Sequence, residues 1–287
     1  MESQHIGFLH PGAMGVFLAA TARIAGHSAC WASAGRSEHT RAQAEKHQLV
    51  EVRTVEELCS RCSVIISVCP PHAASEVAQK VLACSFDGVY ADVNAISPQR
   101  VKEIGANMLD GGVDFVDGGI IGLPGWETER TWLYLSGPRA KTVADCFSGG
   151  QLEVQILGDE IGRASALKMC YAANTKGTTA LLCAVLAVAE QMGVREDLQR
   201  QWTQSGSDFA RKTIGRVTGV TAKAWRFSGE MDEIAATFEK AGLPAGFHVA
   251  ASDIYQRLAR FKGSTPLPPI AEVLAALLEP GTASRSS

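Results

Sequence analysis

The stretch from Gly162 to Gly193 constrains the fold more than any other part of the chain. It reads GRASALKMCYAANTKGTTALLCAVLAVAEQMG, contains no proline and is rich in alanine and leucine, which predicts one long helix that ends at Gly193. At about 1.5 Å per residue this helix would span roughly 46 Å. Because nearly all of its faces are apolar or small, we expect it to be buried or to pack against several partners.

A membrane-spanning helix is the competing interpretation of this stretch. The strongly apolar run Ala180–Ala189 is shorter than the about 20 residues that a span needs, and Lys176 and Glu190 interrupt the stretch on either side. Residues Met1–Gly15 also lack the basic and apolar regions of a secretory signal. The sequence therefore favours a cytoplasmic protein with no membrane partner.

Composition and charge narrow the possible partners. The 287 residues are 46% hydrophobic and 20% charged, which is typical of a globular protein with one large domain or two smaller ones. A formal net charge of -3 gives no basic field for nucleic acid. We therefore expect a small-molecule substrate and no nucleic-acid partner.

The eight cysteines lie mostly in apolar surroundings, which is typical of reduced, buried thiols. Cys59 and Cys62 form a C-x-x-C pair, but no second ligand pair accompanies them, so we interpret both as structural. No cluster of histidine, cysteine or carboxylate residues has the spacing of metal ligands, and the sequence predicts no metal site.

Strand and helix patterns alternate through the first half of the chain, after an opening strand and helix. The later predicted elements are strands at 28–33, 64–68, 89–93, 115–116 and 131–136, and helices at 38–46, 73–82 and 97–108. This alternation predicts βαβ units and a parallel sheet with helices on both faces. From Gly162 onwards the pattern is helical. It is punctuated at Gly206, Gly229, Gly242 and Pro244.

We therefore predict an α/β fold with two domains. Residues 1–160 are expected to form an N-terminal Rossmann-type domain built on a doubly wound parallel sheet. Residues 161–287 begin with the long interdomain helix and form an all-α domain for substrate binding and dimerisation. The polar tail Pro280–Ser287 is expected to be frayed.

A glycine-rich loop follows the first strand. A dinucleotide fingerprint reads G-x-G-x-x-G, and the corresponding hexamer here is His10-Pro-Gly-Ala-Met-Gly15, without the first glycine. Gly12, Ala13, Met14 and Gly15 remain as candidate cofactor-binding residues. Gly12 would face the pyrophosphate at the helix N-terminus and Gly15 would allow close helix packing. The alternative is an ordinary tight turn.

The end of the second strand indicates which cofactor binds. NAD sites usually have an acidic residue there for the ribose hydroxyl, whereas NADP sites offer arginine to the 2′-phosphate. This chain has no acid before Glu38 but has Arg36, with Ser33 and Ser37 as further donors. The sequence therefore favours NADPH (NADP+), with a solvated loop arginine as the alternative.

Four motifs occur in the order found in β-hydroxyacid dehydrogenases, and the chain resembles that superfamily over nearly its whole length. They are I-G-F-L-x-x-G-x-M-G at the start, D-x-N-x-x-S-P at Asp92–Pro98, the glycine-rich Asp117–Gly122, and G-x-x-x-x-x-K ending at Lys168. The superfamily includes 6-phosphogluconate dehydrogenase, and the imine reductases are similar to it. The stretch Trp225–His248 looks most like a branch of uncharacterised NAD(P)-dependent oxidoreductases.

The resemblance implies that Lys168 is the proton donor to the substrate oxygen during carbonyl reduction; the alternative is a snorkelling lysine at the domain boundary. The family often has asparagine four residues later, where this chain has Ala172. Asn174 would point away from Lys168 on a regular helix. Thr175 returns to the same face two turns along and Tyr171 lies beside it, so both are candidate catalytic helpers.

The resemblance also implies a substrate-carboxylate loop. Gly118, Gly119, Ile120, Ile121 and Gly122 occupy its positions, and Ile121 stands where the family has serine. Backbone N–H groups of such a glycine-rich turn can still bind an anion, but the pocket would be more apolar.

A gap-free comparison puts Gly229 and Glu230 where many members have lysine and aspartate. Another candidate carboxylate contact is thereby absent. Five residues of the second half could line an apolar substrate pocket, although core packing is the simpler interpretation. They are Trp202, Phe209, Trp225, Phe227 and His248.

Two further segments of the resemblance concern the cofactor. Asn94 is expected beside the nicotinamide, as a hydrogen-bonding partner of cofactor or substrate. Cys69 and Pro70, with Pro71, fit the loop that lines the nicotinamide ribose, and a rigid turn is the alternative role of the prolines.

Three functions remain open from the sequence. The first is an NADPH-dependent oxidoreductase acting on a carbonyl or alcohol carbon, the second is imine reduction, and the third is a non-catalytic NADPH-binding sensor. The retained Lys168 favours an enzyme. The resemblance and the apolar long helix together predict a homodimer.

Overall fold

A computed structural model of the protein describes residues 3–126, 130–148 and 152–279, apart from the side chain of Ser205. The predicted frayed tail Pro280–Ser287 lies outside these residues. The chain divides into two compact units, Met1–Met169 and Cys170–Ser287.

The first unit contains an eight-stranded sheet in the order β3-β2-β1-β4-β5-β6-β7-β8. The strands are β1 His5–Phe8, β2 Ser28–Ala32, β3 Val50–Val52, β4 Val64–Ser67, β5 Val89–Asp92, β6 Asp114–Ile121, β7 Thr131–Ser136 and β8 Leu152–Ile156. All neighbours are parallel except β6 and β7, which are antiparallel. The chain crosses over between β1 and β4, the kind of position where open α/β sheets bind ligands.

Helices cover both faces of this sheet. They are α1 Ala13–Ile24, α2 Glu38–Lys46, α3 Val55–Arg61, α4 Ala74–Leu82, α5 Pro98–Asp110 and α6 Ala140–Asp145, followed by α7 Arg163–Ala172. Side chains of β4 alternate between two buried clusters, with Val64 and Ile66 in one and Ile65 in the other. The predicted doubly wound Rossmann architecture is confirmed.

Two strands and two helices were not predicted from the sequence. Strand β3 has only three residues, and β8 is an edge strand whose side chains are largely exposed, so neither has a strong apolar alternation. Helices α3 and α6 span seven and six residues, which is too short for a clear helical period. Short elements at the margins of a sheet carry little sequence signal.

The predicted long helix is present as the continuous segment Arg163–Gln191. It comprises α7, a π-helical turn Ala173–Gly177 and α8 Thr178–Gln191, and positive φ angles at Gly162 and Gly193 flank it. The π turn was not predicted. Because an i to i+5 turn is wider than an α turn, the residue count on a regular helix that placed Thr175 on the face of Lys168 does not apply through this turn.

The mean hydropathy of an 18-residue window of this helix is 1.3, and half of the window is buried. By length and composition the helix could cross a membrane, as core helices of soluble proteins also could. The shortness of its apolar run is therefore not decisive by itself.

The second unit is helical. After α8 it contains α9 Arg195–Thr203, α10 Phe209–Val220, α11 Ala224–Lys240, α12 Gly246–Leu258 and α13 Ile270–Leu278. Helix α11 passes through Gly229 without interruption, so the predicted break there is wrong. Side chains from other helices complete the π turn: Tyr255 donates to the carbonyl of Lys176 at 2.7 Å, and Arg216 donates to that of Thr175.

Candidate functional site

The predicted phosphate loop lies at the carboxyl end of β1, beside the crossover of the sheet. Helix α1 begins at Ala13, with Gly12 as its N-cap, no capping side chain and no acidic residue in its first turn. Ala13 and Met14 form the start of that turn. The N–H groups at the start of α1 are therefore capped by no side chain of Gly12 and have no acidic residue in the first turn, which leaves the helix dipole available for a phosphate.

The two glycines of the loop have different surroundings. A Cβ added at Gly15 would lie 2.1 Å from the carbonyl oxygen of His10, so only glycine allows the loop to approach α1 this closely. A Cβ added at Gly12 would meet no atom within 4 Å. Gly15 is thus required for packing, whereas Gly12 leaves space in front of the helix N-terminus.

His10 occupies the place of the missing first glycine. The described non-glycine residues with positive φ are Gln48 and Ser85, so the backbone at position 10 does not need glycine. Burial, together with the charges of Arg36 and Lys80, lowers the pKa of His10 to about 4. His10 is therefore neutral at pH 7, and its buried Nδ1 has no hydrogen-bond partner within the described ranges.

Arg36 folds back over the end of β1 instead of extending into solvent. Its Nη2 donates to the carbonyl of Leu9 at 3.1 Å, and burial lowers its pKa. The Nε atom is buried and has no partner among the residues that the structure describes. Ser33 is buried, while Ser37 caps α2 by accepting a hydrogen bond from the N–H of Thr40.

Asn94 connects the ends of β4 and β5. Its Oδ1 accepts from the N–H of Cys69 at 2.5 Å, and its Nδ2 donates to Ser67 Oγ at 3.2 Å. The predicted direct contact with cofactor or substrate could still use the second amide hydrogen or the second lone pair of Oδ1. The observed bonds hold the Cys69 loop, which continues through the exposed Pro70.

Asp92 lies beneath Asn94 and is fully buried. Its Oδ1 accepts from the N–H of Asn94 at 3.0 Å, while Oδ2 has no partner in the described part of the chain. Burial, with a smaller contribution from the neighbouring Asp117, raises the pKa of Asp92 to about 7.

The predicted glycine-rich turn is a strand, which corrects the sequence interpretation. Gly118 and Gly119 pair with Leu135 and Tyr134 of β7. A Cβ at Gly119 would lie 2.7 Å from the carbonyl oxygen of Ala164 and 3.0 Å from Lys168 Cβ. The glycines therefore serve to let β6 pass directly against α7. The strand ends at Gly122, which has a φ of +112°.

This close approach defines the position of Lys168. Its Nζ donates to the carbonyl of Ile120 at 2.6 Å, and the side chain is half-buried. Because the N–H and C=O of one strand residue point to the same side, we expect the N–H of Ile120 on the strand edge whose carbonyl binds Lys168. The side chains of Ile120 and Ile121 are buried.

Sequence reasoning missed Asp117, whose carboxylate joins β6 to the start of α7. It accepts hydrogen bonds from Ser136, Gly162 and Ser165. The last two partners lie 45 and 48 residues away in the chain, and no local pattern predicts such pairs.

Tyr171 and Thr175, the predicted catalytic helpers, lie in the second unit. The hydroxyl of Thr175 donates to the carbonyl of Tyr171 at 3.1 Å, and the side chain of Tyr171 is exposed. Their catalytic roles stay predictions. Glu230 forms a buried ion pair with Lys176, which explains its presence without a substrate contact.

The structure offers no alternative centre of metal chemistry within the described ranges. No group of three or more histidine, cysteine, aspartate or glutamate residues there could hold a metal ion. All eight cysteines are free.

Two protein-family models and a curated relative match this chain. The NAD binding domain of 6-phosphogluconate dehydrogenase matches residues 5–143, and a domain of unknown function, DUF1932, matches residues 189–258. An uncharacterized 28.5 kDa protein from Methanothermus fervidus is 30% identical over 202 residues, which cover 70% of this chain and 77% of that protein.

Solved structures are similar to this chain over nearly its whole length. A protein of unknown function, described as structurally similar to 3-hydroxyacid dehydrogenases, is 27% identical, with a TM-score of 0.65; the match covers 91% of this chain and 100% of that one. A 3-hydroxyisobutyrate dehydrogenase from Mycobacterium tuberculosis, with L-serine, is 18% identical, with a TM-score of 0.69; the match covers 96% and 100%. The second likeness concerns the fold alone.

Proposed function

Because the chain belongs to the β-hydroxyacid dehydrogenase and 6-phosphogluconate dehydrogenase-like superfamily of NAD(P)-dependent oxidoreductases, we propose that it is an NADPH-dependent enzyme acting on a carbonyl or alcohol carbon. Lys168 gives or takes the proton of the substrate oxygen. The observation that carries this proposal is the 2.6 Å hydrogen bond from Lys168 Nζ to the carbonyl of Ile120. Ile120 lies near the end of β6, which packs closely against α7 because Gly119 has no side chain.

The chemistry divides between cofactor and protein. When bound, the nicotinamide supplies or accepts the hydride. Lys168 presents an ammonium group that can donate a proton to an oxygen within hydrogen-bond reach, and the carbonyl of Ile120 orients it. The N–H of Ile120 is a second donor on the same side of the strand.

The preference for NADPH rests on the residues after β2. The buried Nε of Arg36, which has no partner among the described residues, supports a role in binding the 2′-phosphate, because a guanidinium binds phosphate oxygens with several N–H groups at once. The N-terminus of α1, with the open space at Gly12, would hold the pyrophosphate.

The proposed substrate is hydroxyacid-like or a more apolar hydroxy compound. Ile121 stands where the resemblance expects serine, so the site has one hydroxyl donor fewer. The same apolar character suits imine reduction, in which the electrophile arrives already protonated and Lys168 is less needed. A panel of substrates separates the two reactions.

We also propose a homodimer. Leu181 and Val188 of α8 and Met192, the residue directly after it, repeat at helical spacing and are all exposed, which gives this end of the helix an apolar stripe suited to a second copy of the chain. Light scattering at micromolar concentration should report twice the 30.5 kDa mass of the chain. A monomer at that concentration would contradict this assembly.

The test of the proposed function begins with fluorescence titrations of NADPH and NADH on the wild type and on Arg36→Ala. We expect Arg36→Ala to weaken NADPH binding about 10- to 100-fold, as the loss of a charge-assisted contact does, and to change NADH binding less than about twofold. Arg36→Lys is the matched control, which keeps the charge and loses the guanidinium.

The other possible results of these titrations distinguish between the alternative functions. Equal weakening of both cofactors would remove Arg36 from the 2′-phosphate site. If neither cofactor binds the wild type, the enzyme proposal is wrong. Tight NADPH binding with turnover of cyclic imines alone would select imine reduction, and binding without any turnover would select a sensor.

A further inference from the structure

The carboxylate of Asp117 sits at the junction of three elements. Its Oδ2 accepts from Ser136 Oγ at 2.9 Å, from the N–H of Gly162 at 2.9 Å and from the N–H of Ser165 at 3.1 Å, while Oδ1 accepts from Ser165 Oγ at 2.6 Å. The Asp117 side chain is fully buried. Strand β6, strand β7 and the start of α7 therefore meet at one carboxyl group.

The four bonds suit an ionised carboxylate. All four partners can donate, and two are backbone N–H groups at the N-terminus of α7, where a negative charge is stabilised by the helix dipole. Burial raises the pKa of Asp117, while the hydrogen bonds from Ser165, Ser136 and Gly162 oppose that effect. Ser136 adds a second connection, because its Oγ accepts from the N–H of Ala164 at 3.1 Å.

Lys168 is on the helix that these bonds hold. Ser165 lies one turn before it, and Gly119, two residues after Asp117, leaves room for Ala164 and Lys168 Cβ. Lys168 Nζ donates to Ile120 O, on the same strand as Asp117. A movement of α7 along β6 would therefore change the distance between the ammonium and its acceptor directly.

We infer that Asp117 is a positioning residue for Lys168: its carboxylate fixes the N-terminus of α7 against β6 and so sets where the ammonium group stands. The inference rests on the proposed role of Lys168 as proton donor. Asp117 itself does not take part in the proton transfer.

The test is a double-mutant cycle with Asp117→Asn, Lys168→Ala and the double variant. Asp117→Asn should lower kcat about 10- to 100-fold and leave the NADPH dissociation constant within about twofold, because positioning affects the chemical step. In the Lys168→Ala background the same substitution should change kcat less than about twofold, since the group it positions is gone. An equal loss in both backgrounds, or a folded Asp117→Asn with unchanged kcat, would overturn the inference.

Two further variants guard against loss of folding. Ser165→Ala removes one hydroxyl and keeps the backbone contacts, and we expect it to lower kcat about three- to tenfold by the same mechanism. Asp110→Asn removes an exposed carboxylate at the end of α5 and should leave kcat unchanged. If Asp117→Asn does not fold, Ser165→Ala replaces it in the double-mutant cycle with Lys168→Ala.

A second readout needs no substrate. Limited acetylation with acetic anhydride, followed by mass spectrometry, gives the reactivity of Lys168 relative to the exposed Lys46. In Asp117→Asn or Ser165→Ala this ratio should change at least about threefold, because amine reactivity follows exposure and hydrogen bonding. An unchanged ratio would refute the positioning role even if no substrate is ever turned over, whereas a changed ratio without turnover would count against the proposed function alone.

Discussion

Two regions of the first unit differ in how their buried polar atoms are hydrogen-bonded. The cofactor edge, defined by His10, Arg36 and Asp92, has a buried polar atom without a described partner on each of these residues. In the lysine clamp, defined by Asp117 with Ser136 and Ser165, the carboxylate alone accepts four hydrogen bonds.

The difference indicates what each region is for. An unpaired buried polar group costs about 1–3 kcal/mol, so a fold retains such groups mainly where a ligand or water completes them. A fully paired carboxylate instead fixes the elements around it. We therefore interpret the cofactor edge as a binding surface and the lysine clamp as a scaffold for Lys168.

The largest expected effect tests the packing of the cofactor edge. Gly15→Ala should reduce the free energy of unfolding by about 5 kcal/mol and abolish cofactor binding, because its Cβ would lie 2.1 Å from a backbone oxygen that cannot move away cheaply. Urea unfolding and NADPH titration measure both effects.

Gly12→Ala is the matched control for that prediction. No atom lies within 4 Å of its Cβ, so unfolding should change by less than about 1 kcal/mol, while NADPH binding should weaken at least about tenfold. Undiminished NADPH binding by Gly12→Ala would show that the pyrophosphate lies elsewhere.

The next prediction concerns the pH dependence of the free energy of unfolding, in which we expect the variants of Asp92 and Asp117 to differ. The pKa of Asp92 is raised from 3.8 to about 7, so between pH 4 and 7 the folded state keeps a proton that the unfolded state loses. The contribution of Asp92 to the free energy of unfolding therefore falls as pH rises through this window, by about 4 kcal/mol at 1.36 kcal/mol per pKa unit. The Asp92→Asn variant should not show this decrease, because an asparagine side chain does not titrate.

Urea unfolding at pH 4.5 and pH 8 measures the prediction. The stability of Asp92→Asn relative to the wild type should rise with pH, whereas Asp117→Asn should be less stable than the wild type at pH 8, because the amide replaces an acceptor of four hydrogen bonds. A constant difference between Asp92→Asn and the wild type would mean that Asp92 titrates normally and that the comparison of the two regions fails.

The phosphate loop and Arg36 could be picked out from the sequence because their signals are local, and their roles in cofactor binding stay predictions. Gly12 and Gly15 lie three residues apart after an apolar strand, and Arg36 follows the next strand directly. The predicted bounds of helix 38–46 and strand 131–136 also match α2 and β7. Periodicity and turn chemistry act over a few residues, and that is the range in which the predictions succeeded.

The lysine clamp could not be anticipated, because its contacts join distant segments. Asp117 reads from the sequence as part of a glycine-rich turn, and only the tertiary fold shows that the following glycines make a strand that packs against α7. Asn94 likewise gained a role in holding Cys69, 25 residues away. The π turn depends on Arg216 and Tyr255, which no local pattern connects with it.

The measurement that tests the central claim most directly is NADPH oxidation by the wild type and by Lys168→Ala over a panel of carbonyl acids, simpler ketones and cyclic imines. We predict that the wild type reduces a carbonyl substrate, and that Lys168→Ala lowers kcat about 1,000-fold, as loss of a general acid does, with NADPH binding kept within about twofold. Carbonyl reduction by Lys168→Ala within about tenfold of the wild type would contradict the account, because the proton would then come from another group.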